Sequence, residues 1–149
     1  MTLSQLKWDL YWAYGRDTTV MSKCGDGTGK SAGVDLYEVV LASSLLKNMV
    51  AQLPSGGDKL IKGKYERGYE NLKSLAELIA THFDLPEQAA QLFLLRWLEL
   101  PHEQELQSLT GILQCSKSTV TKKCRKVCVW LDNLEMNALY ELRSKIIDN

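Results

Sequence analysis

What this chain has least of is strand-forming sequence. No run alternates apolar and polar residues between turn signals for the length of a strand. Proline is scarce, at three residues, and each one, Pro54, Pro86 and Pro101, stands where a helix would stop or restart rather than inside one. No stretch approaches the roughly 20 apolar residues of a membrane span. Met1 to Arg16 also lacks the basic start, apolar run and small-residue cleavage site of a secretory signal. Cytoplasmic location and no membrane partner are therefore expected. Net charge is zero, from 18 basic and 18 acidic residues, which excludes a diffuse electrostatic coat for polyanions. Histidine is limited to two residues, and neither has a neighbouring Ser, Cys or Asp pattern of a catalytic triad. Glu99, Glu103 and Glu105 read as first-turn and surface charges at a helix start. No enzyme is expected.

What is present is helix. With 149 residues and 45% apolar content, the chain can bury a core as one domain, or one domain with a small appendage. Leu3, Leu6, Leu10 and Tyr14 share one face of a first helix over Ser4 to Arg16, made unusually aromatic by Trp8, Tyr11 and Trp12. Such a helix seldom stays exposed. A loop from Asp17 to Gly33 follows, and then a helix from Asp35 to Leu53 that is apolar nearly all round, as expected of the central helix of the core. The helical pattern resumes from Asp58 to Phe83 with interruptions at Gly63 and Gly68, and again from Pro86 to Leu98. Pro101 opens a further helix, and a long final segment runs to Ile147 with a bend expected near Asp132 and Asn133. The resulting expectation is an all-α compact bundle, with residues 1–100 as helical core, a flexible loop at 17–33, and residues 101–149 as a DNA-binding region.

Charge is unevenly placed. Residues 66–105 carry eight acidic and three basic side chains, whereas 106–131 carry five basic ones and no acidic one. The basic run follows a segment, Glu103 to Ser116, that reads as a helix ending in a tight turn. If a helix begins after Ser116, whose hydroxyl suits an N-cap, Val120, Cys124, Val127 and Leu131 fall on one stripe. That stripe would pack on Leu106, Leu109, Ile112 and Leu113, with Cys115 wedging the turn. Lys117, Ser118, Thr121, Lys122 and Arg125 project from another stripe. This is the pattern of a helix-turn-helix, whose second helix enters a major groove roughly 12 Å wide. Two residues depart from it: Gln114 stands where many such motifs have Gly, and Lys123 where the residue is often apolar. The competing account is a solvated basic face on an all-helical adaptor. The acidic middle would avoid DNA and suits a protein partner.

Two other motifs are set aside. Cys24, Cys115, Cys124 and Cys128 lack the paired loop spacing of structural zinc, since Cys124 and Cys128 are four apart on a predicted helix; reduced core thiols are the better account. Residues 24–31 end in the Gly29-Lys30-Ser31 of a phosphate-binding loop, but the motif's first Gly is Cys24 and no strand precedes it. A polar loop is the reading there, with Lys23 and Lys30 free to touch nucleic acid or a partner. No cofactor and no metal are expected.

The run Leu113-Gln114-Cys115-Ser116-Lys117-Ser118-Thr119-Val120, within a C-terminal helix that ends apolar around Val127 to Leu134, resembles the C-terminal helix-turn-helix of the bacteriophage antitermination protein Q family. The specific likeness covers about residues 92–134; beyond it only the all-helical layout and Trp-rich first helix are similar. The Gly-rich loop at 24–33 has no counterpart there. The resemblance implies a sigma-factor-like DNA-reading unit and a late-gene antiterminator of a bacterial host cell. Such a protein binds double-stranded DNA near a phage promoter, loads onto RNA polymerase paused with its sigma factor, and carries it through terminators. Carried over by residue, Lys117, Ser118, Thr121, Lys122 and Arg125 would face DNA, with Lys123 and Lys126 near phosphates. A conventional repressor or activator remains the alternative. It would form a homo-oligomer, for which Leu131, Leu134, Leu139, Leu142 and Ile146 could supply the interface, unless they pack on their own domain.

Overall fold

The computed structural model describes residues 2–14, 36–54, 56–100 and 108–148. Among them every regular element is helical, with no strand. The order is α1 (Leu3–Ala13), α2 (Leu36–Ala51), α3 (Gly57–Ile61), a π-helical turn (Lys62–Glu66), α4 (Tyr69–Phe83), α5 (Glu87–Trp97), α6 (Leu109–Leu113) and α7 (Lys117–Asp148). The expected loop at 17–33 and the phosphate-loop-like residues 24–31 lie outside the described residues, as does the expected start of a helix at Pro101.

Each helix begins and ends for a local reason. Thr2 caps α1, its Oγ1 accepting from Gln5 N at 3.1 Å. Leu6 and Leu10 of the expected stripe are fully buried, and Tyr14 nearly so. The aromatic face is covered only in part: Trp12 is half-buried and Tyr11 packs on Tyr65, whereas Trp8 is 55% exposed, touching Trp12 edge-on with centroids 6.0 Å apart. Asp84 ends α4 in the left-handed region, Leu85 N donates back to Ala80 O at 2.9 Å, and Pro86 restarts the chain into α5. The interruption expected at Gly63 is real and specific. Gly63 lies within the π-helical turn, where a Cβ would stand 2.8 Å from Leu75 Cδ2, so any larger residue there would make the buried Leu75 side chain shift on α4. Arg67 and Gly68, both at positive φ, then break the chain before α4.

The centre of the bundle is α7, not α2. Leu46, Val50 and the following Leu53 are buried, but Leu41 and Leu45 stand half exposed on α2's outer side, away from the α1, α3 and α7 contacts that bury the rest of its described face. An all-round apolar sequence permits central burial and does not compel it. α7 packs against α1, α2, α3, α5 and α6. It runs unbroken through Asp132 and Asn133, where a bend was expected. Asp132 faces outward from the helix and accepts a hydrogen bond from Trp97 Nε1 at 2.8 Å, so it fits a continuous helix without strain.

One polar cluster pins this helix to the core. Glu135 is buried, and its Oε2 accepts from Tyr65 OH at 3.0 Å and pairs with Lys64 Nζ at 2.6 Å. Lys64 also lies 5.1 Å from the Trp97 ring centroid, and Tyr11 packs edge-on against Tyr65. A buried carboxylate is tolerable only with such partners. Burial and the adjacent Glu135 carboxylate push the Tyr65 hydroxyl well above the usual tyrosine range. On the other side of the helix, His82 stacks on Trp130 at 4.4 Å and Phe83 meets Trp130 edge-on at 5.5 Å.

Candidate nucleic-acid interface

α6 and α7 meet at a three-residue turn. Gln114 takes a left-handed conformation, φ 52° and ψ 47°, which explains why glycine would suit the position. Cys115 N donates to Thr110 O at 3.2 Å and closes the end of α6. Ser116 then caps α7 as expected: its Oγ accepts from Thr119 N at 3.3 Å, and its carbonyl accepts from Val120 N at 3.0 Å. Ser118 and Thr119 share hydroxyl hydrogen bonds with Ser116 Oγ at 3.1 and 2.9 Å.

The two stripes of α7 separate as the spacing predicts. Val120, Cys124, Val127 and Leu131 are all buried. Lys117, Ser118, Thr121, Lys122, Arg125 and Lys126 are all exposed. Lys123 departs from this set, being half-buried on the flank of the packing stripe. Thr121 Oγ1 donates to Lys117 O at 3.1 Å, leaving its oxygen lone pairs and methyl group for a ligand. Among the described residues, none of the five cations makes an ion pair.

The packing partners of this stripe differ in part from expectation. Leu109 is fully buried, and Leu113 and Cys115 are half-buried, but Ile112 is 39% exposed, and Leu106 lies outside the described residues. The residues expected to form a dimer interface are also inside the molecule: Leu131, Leu139 and Leu142 are fully buried, and Leu134 and Ile146 are partly covered by the same core. They hold α7 to its own chain.

Burial pushes the Cys124 thiol up to about 12, with the neighbouring Cys128 adding to the effect. Cys128 is raised too, chiefly by burial. Both sit in the packing side of α7 as neutral thiols, and Cys24 lies outside the described residues. Sequence reasoning did not find the groups that hold this helix in place. Tyr65 and Glu135 are 70 residues apart, and Trp97 and Asp132 are 35 apart, beyond the reach of local periodicity.

No protein-family model, no curated protein and no solved structure matches the chain.

Proposed function

We propose that this chain binds double-stranded DNA through the exposed face of the first three turns of α7, and that it is a transcription antitermination factor acting on bacterial RNA polymerase. The supporting observation is one helix with two opposed faces: an apolar stripe seated in the core, and an exposed basic face that makes no ion pair among the described residues. α6, the turn at Gln114 to Ser116 and α7 then serve as the helix-turn-helix. Lys122 and Arg125 are central to the reading face, with Ser118 and Thr121 beside them. Lys117 and Lys126 reach phosphates at its two ends, and Lys123, on the flank, is a phosphate contact at most. Phosphate contacts by all five cations would give a slope of log K against log salt of roughly −4.5.

The polymerase half of the reading rests on the resemblance of Leu113 to Val120 to the antitermination protein Q family. The distribution of acid is compatible with it: Glu66, Glu70, Glu77, Asp84, Glu87 and Glu99 are all exposed, on segments other than the basic face, and are available to a basic protein surface.

Run-off transcription past an intrinsic terminator, on a template carrying the promoter region adjacent to the gene, tests both halves. Readthrough that depends on the DNA element is expected, and is lost when Lys122→Ala and Arg125→Ala are combined. Thermal stability of that double variant stays within about 0.5 kcal/mol of wild type, because both side chains are exposed. Blocked initiation would replace the antiterminator with a repressor, and duplex binding unaffected by the double variant would remove α7 as the reader.

A further inference from the structure

α7 carries a second apolar row that the core does not use. Val129, Met136, Tyr140 and Ile147 are 52%, 36%, 48% and 65% exposed, on the side of the helix away from Val120, Val127 and Leu131. With Asn133 and Arg143 they occupy positions 129, 133, 136, 140, 143 and 147, alternating steps of four and three, which is the seam of a two-stranded coiled coil. The seam is complementary to itself when reversed. About a two-fold axis at residue 138, Val129 faces Ile147 of a second copy, Met136 faces Tyr140, and Asn133 faces Arg143, and each layer recurs with the copies exchanged.

We propose that this row is an antiparallel homodimer interface, with a second copy of this chain as its occupant. Charge selects the orientation. A parallel pair would set Arg143 against Arg143 and the two basic N-terminal halves side by side, whereas the antiparallel pair gives each Arg143 the side-chain carbonyl of Asn133 and sends the basic halves to opposite ends. Arg143 is already drawn along the row, its guanidinium 5.2 Å from the Tyr140 ring centroid. In this register the partner helix ends opposite residue 128, so Lys117 to Val127 extend beyond it. The inference does not rest on the proposed DNA binding, although the row continues the line of Ser118, Lys122 and Arg125 along the same face.

The overlap is only about 27 Å of helix, at the low end of what holds a dimer, so association is weak and is sought at protein concentrations on the order of 10–100 μM. Sedimentation velocity of the full chain across that range tests it. A concentration-dependent doubling of mass is expected, and is abolished by Met136→Glu and by Ile147→Glu with helical circular dichroism unchanged, since both positions are exposed. Asn133→Glu fixes the orientation: facing Arg143, it tightens the dimer roughly fivefold, and adding Arg143→Glu reverses the gain. A monomer at every concentration, a dimer indifferent to Met136→Glu and Ile147→Glu, or a dimer weakened by Asn133→Glu would each overturn the proposal.

Discussion

The two halves of α7 are one continuous helix and have different surroundings. From Lys117 to Cys128 the helix is held on one side, by Val120, Cys124 and Val127, and leaves five cations in solvent or on the flank. From Val129 onward it is held from several directions: Leu131, Ala138, Leu139 and Leu142 lie in the core, Glu135 is tied to α3's π-helical extension, Asp132 to α5, and Trp130 stacks on the end of α4. The second half fixes the helix axis and the first half presents chemistry along it. A rigid element anchored at one end can hold exposed polar groups in a defined row without a separate scaffold.

The sharpest break of this arrangement is to put the same charge on opposite faces. Val120→Asp buries an unpaired carboxylate at a site 1% exposed and is expected to cost ~3–5 kcal/mol, enough to unfold the N-terminal half of α7. Val129→Asp, at a half-exposed site, changes stability by less than about 0.5 kcal/mol in dilute monomer. Thermal melts that place the two variants together would refute the assignment of faces.

Loosening the anchored half is the next largest effect. Tyr65→Phe removes the hydroxyl that donates to Glu135 and leaves the carboxylate with Lys64, at a cost of about 2 kcal/mol by chemical denaturation. A loss below about 0.5 kcal/mol would mean that the tyrosine contributes only its ring.

Alkaline titration probes both halves. Folded-state values for Tyr65 and Cys124 lie above their ordinary ones, so in the unfolded chain these groups ionise first. The stability they contribute is complete below pH 9 and is lost progressively as pH rises from about 9 toward 12. Cys124→Ala is expected to flatten the early part of that decline, and an unchanged profile would count against its burial.

The smallest effect is at the turn. Gln114→Gly relieves a left-handed backbone and partly offsets that gain by freeing the unfolded chain, for a net stabilisation of roughly 0.5 kcal/mol. Destabilisation there would show that the glutamine side chain contributes to the turn.

Helix positions, the cap at Ser116 and the split of α7 into a buried and an exposed stripe were legible in the sequence, because helical periodicity and capping are properties of residues within a few positions of one another. The burial of Val120, Cys124, Val127 and Leu131 follows from spacing alone, and so does the exposure of Lys122 and Arg125. What spacing cannot supply is the partner of each stripe. The apolar girdle of α2 read as a central helix, yet Leu41 and Leu45 on it are half exposed; the leucines of the final segment read equally well as a dimer interface or as core, and they pack in the core. Lys123 shows the same limit within the site, as its half-burial depends on how α7 lies against its neighbours.

The sequence therefore determined that this protein is helical and that one helix end carries concentrated positive charge opposite an apolar stripe. Only the tertiary structure decided that α7 is the centre of the bundle, that Glu135 is buried with Tyr65 and Lys64, and that Val129, Met136, Tyr140 and Ile147 face outward. Periodicity is encoded within a few turns of chain. Which surfaces meet is settled by packing among segments tens of residues apart, where many apolar stripes compete for one core.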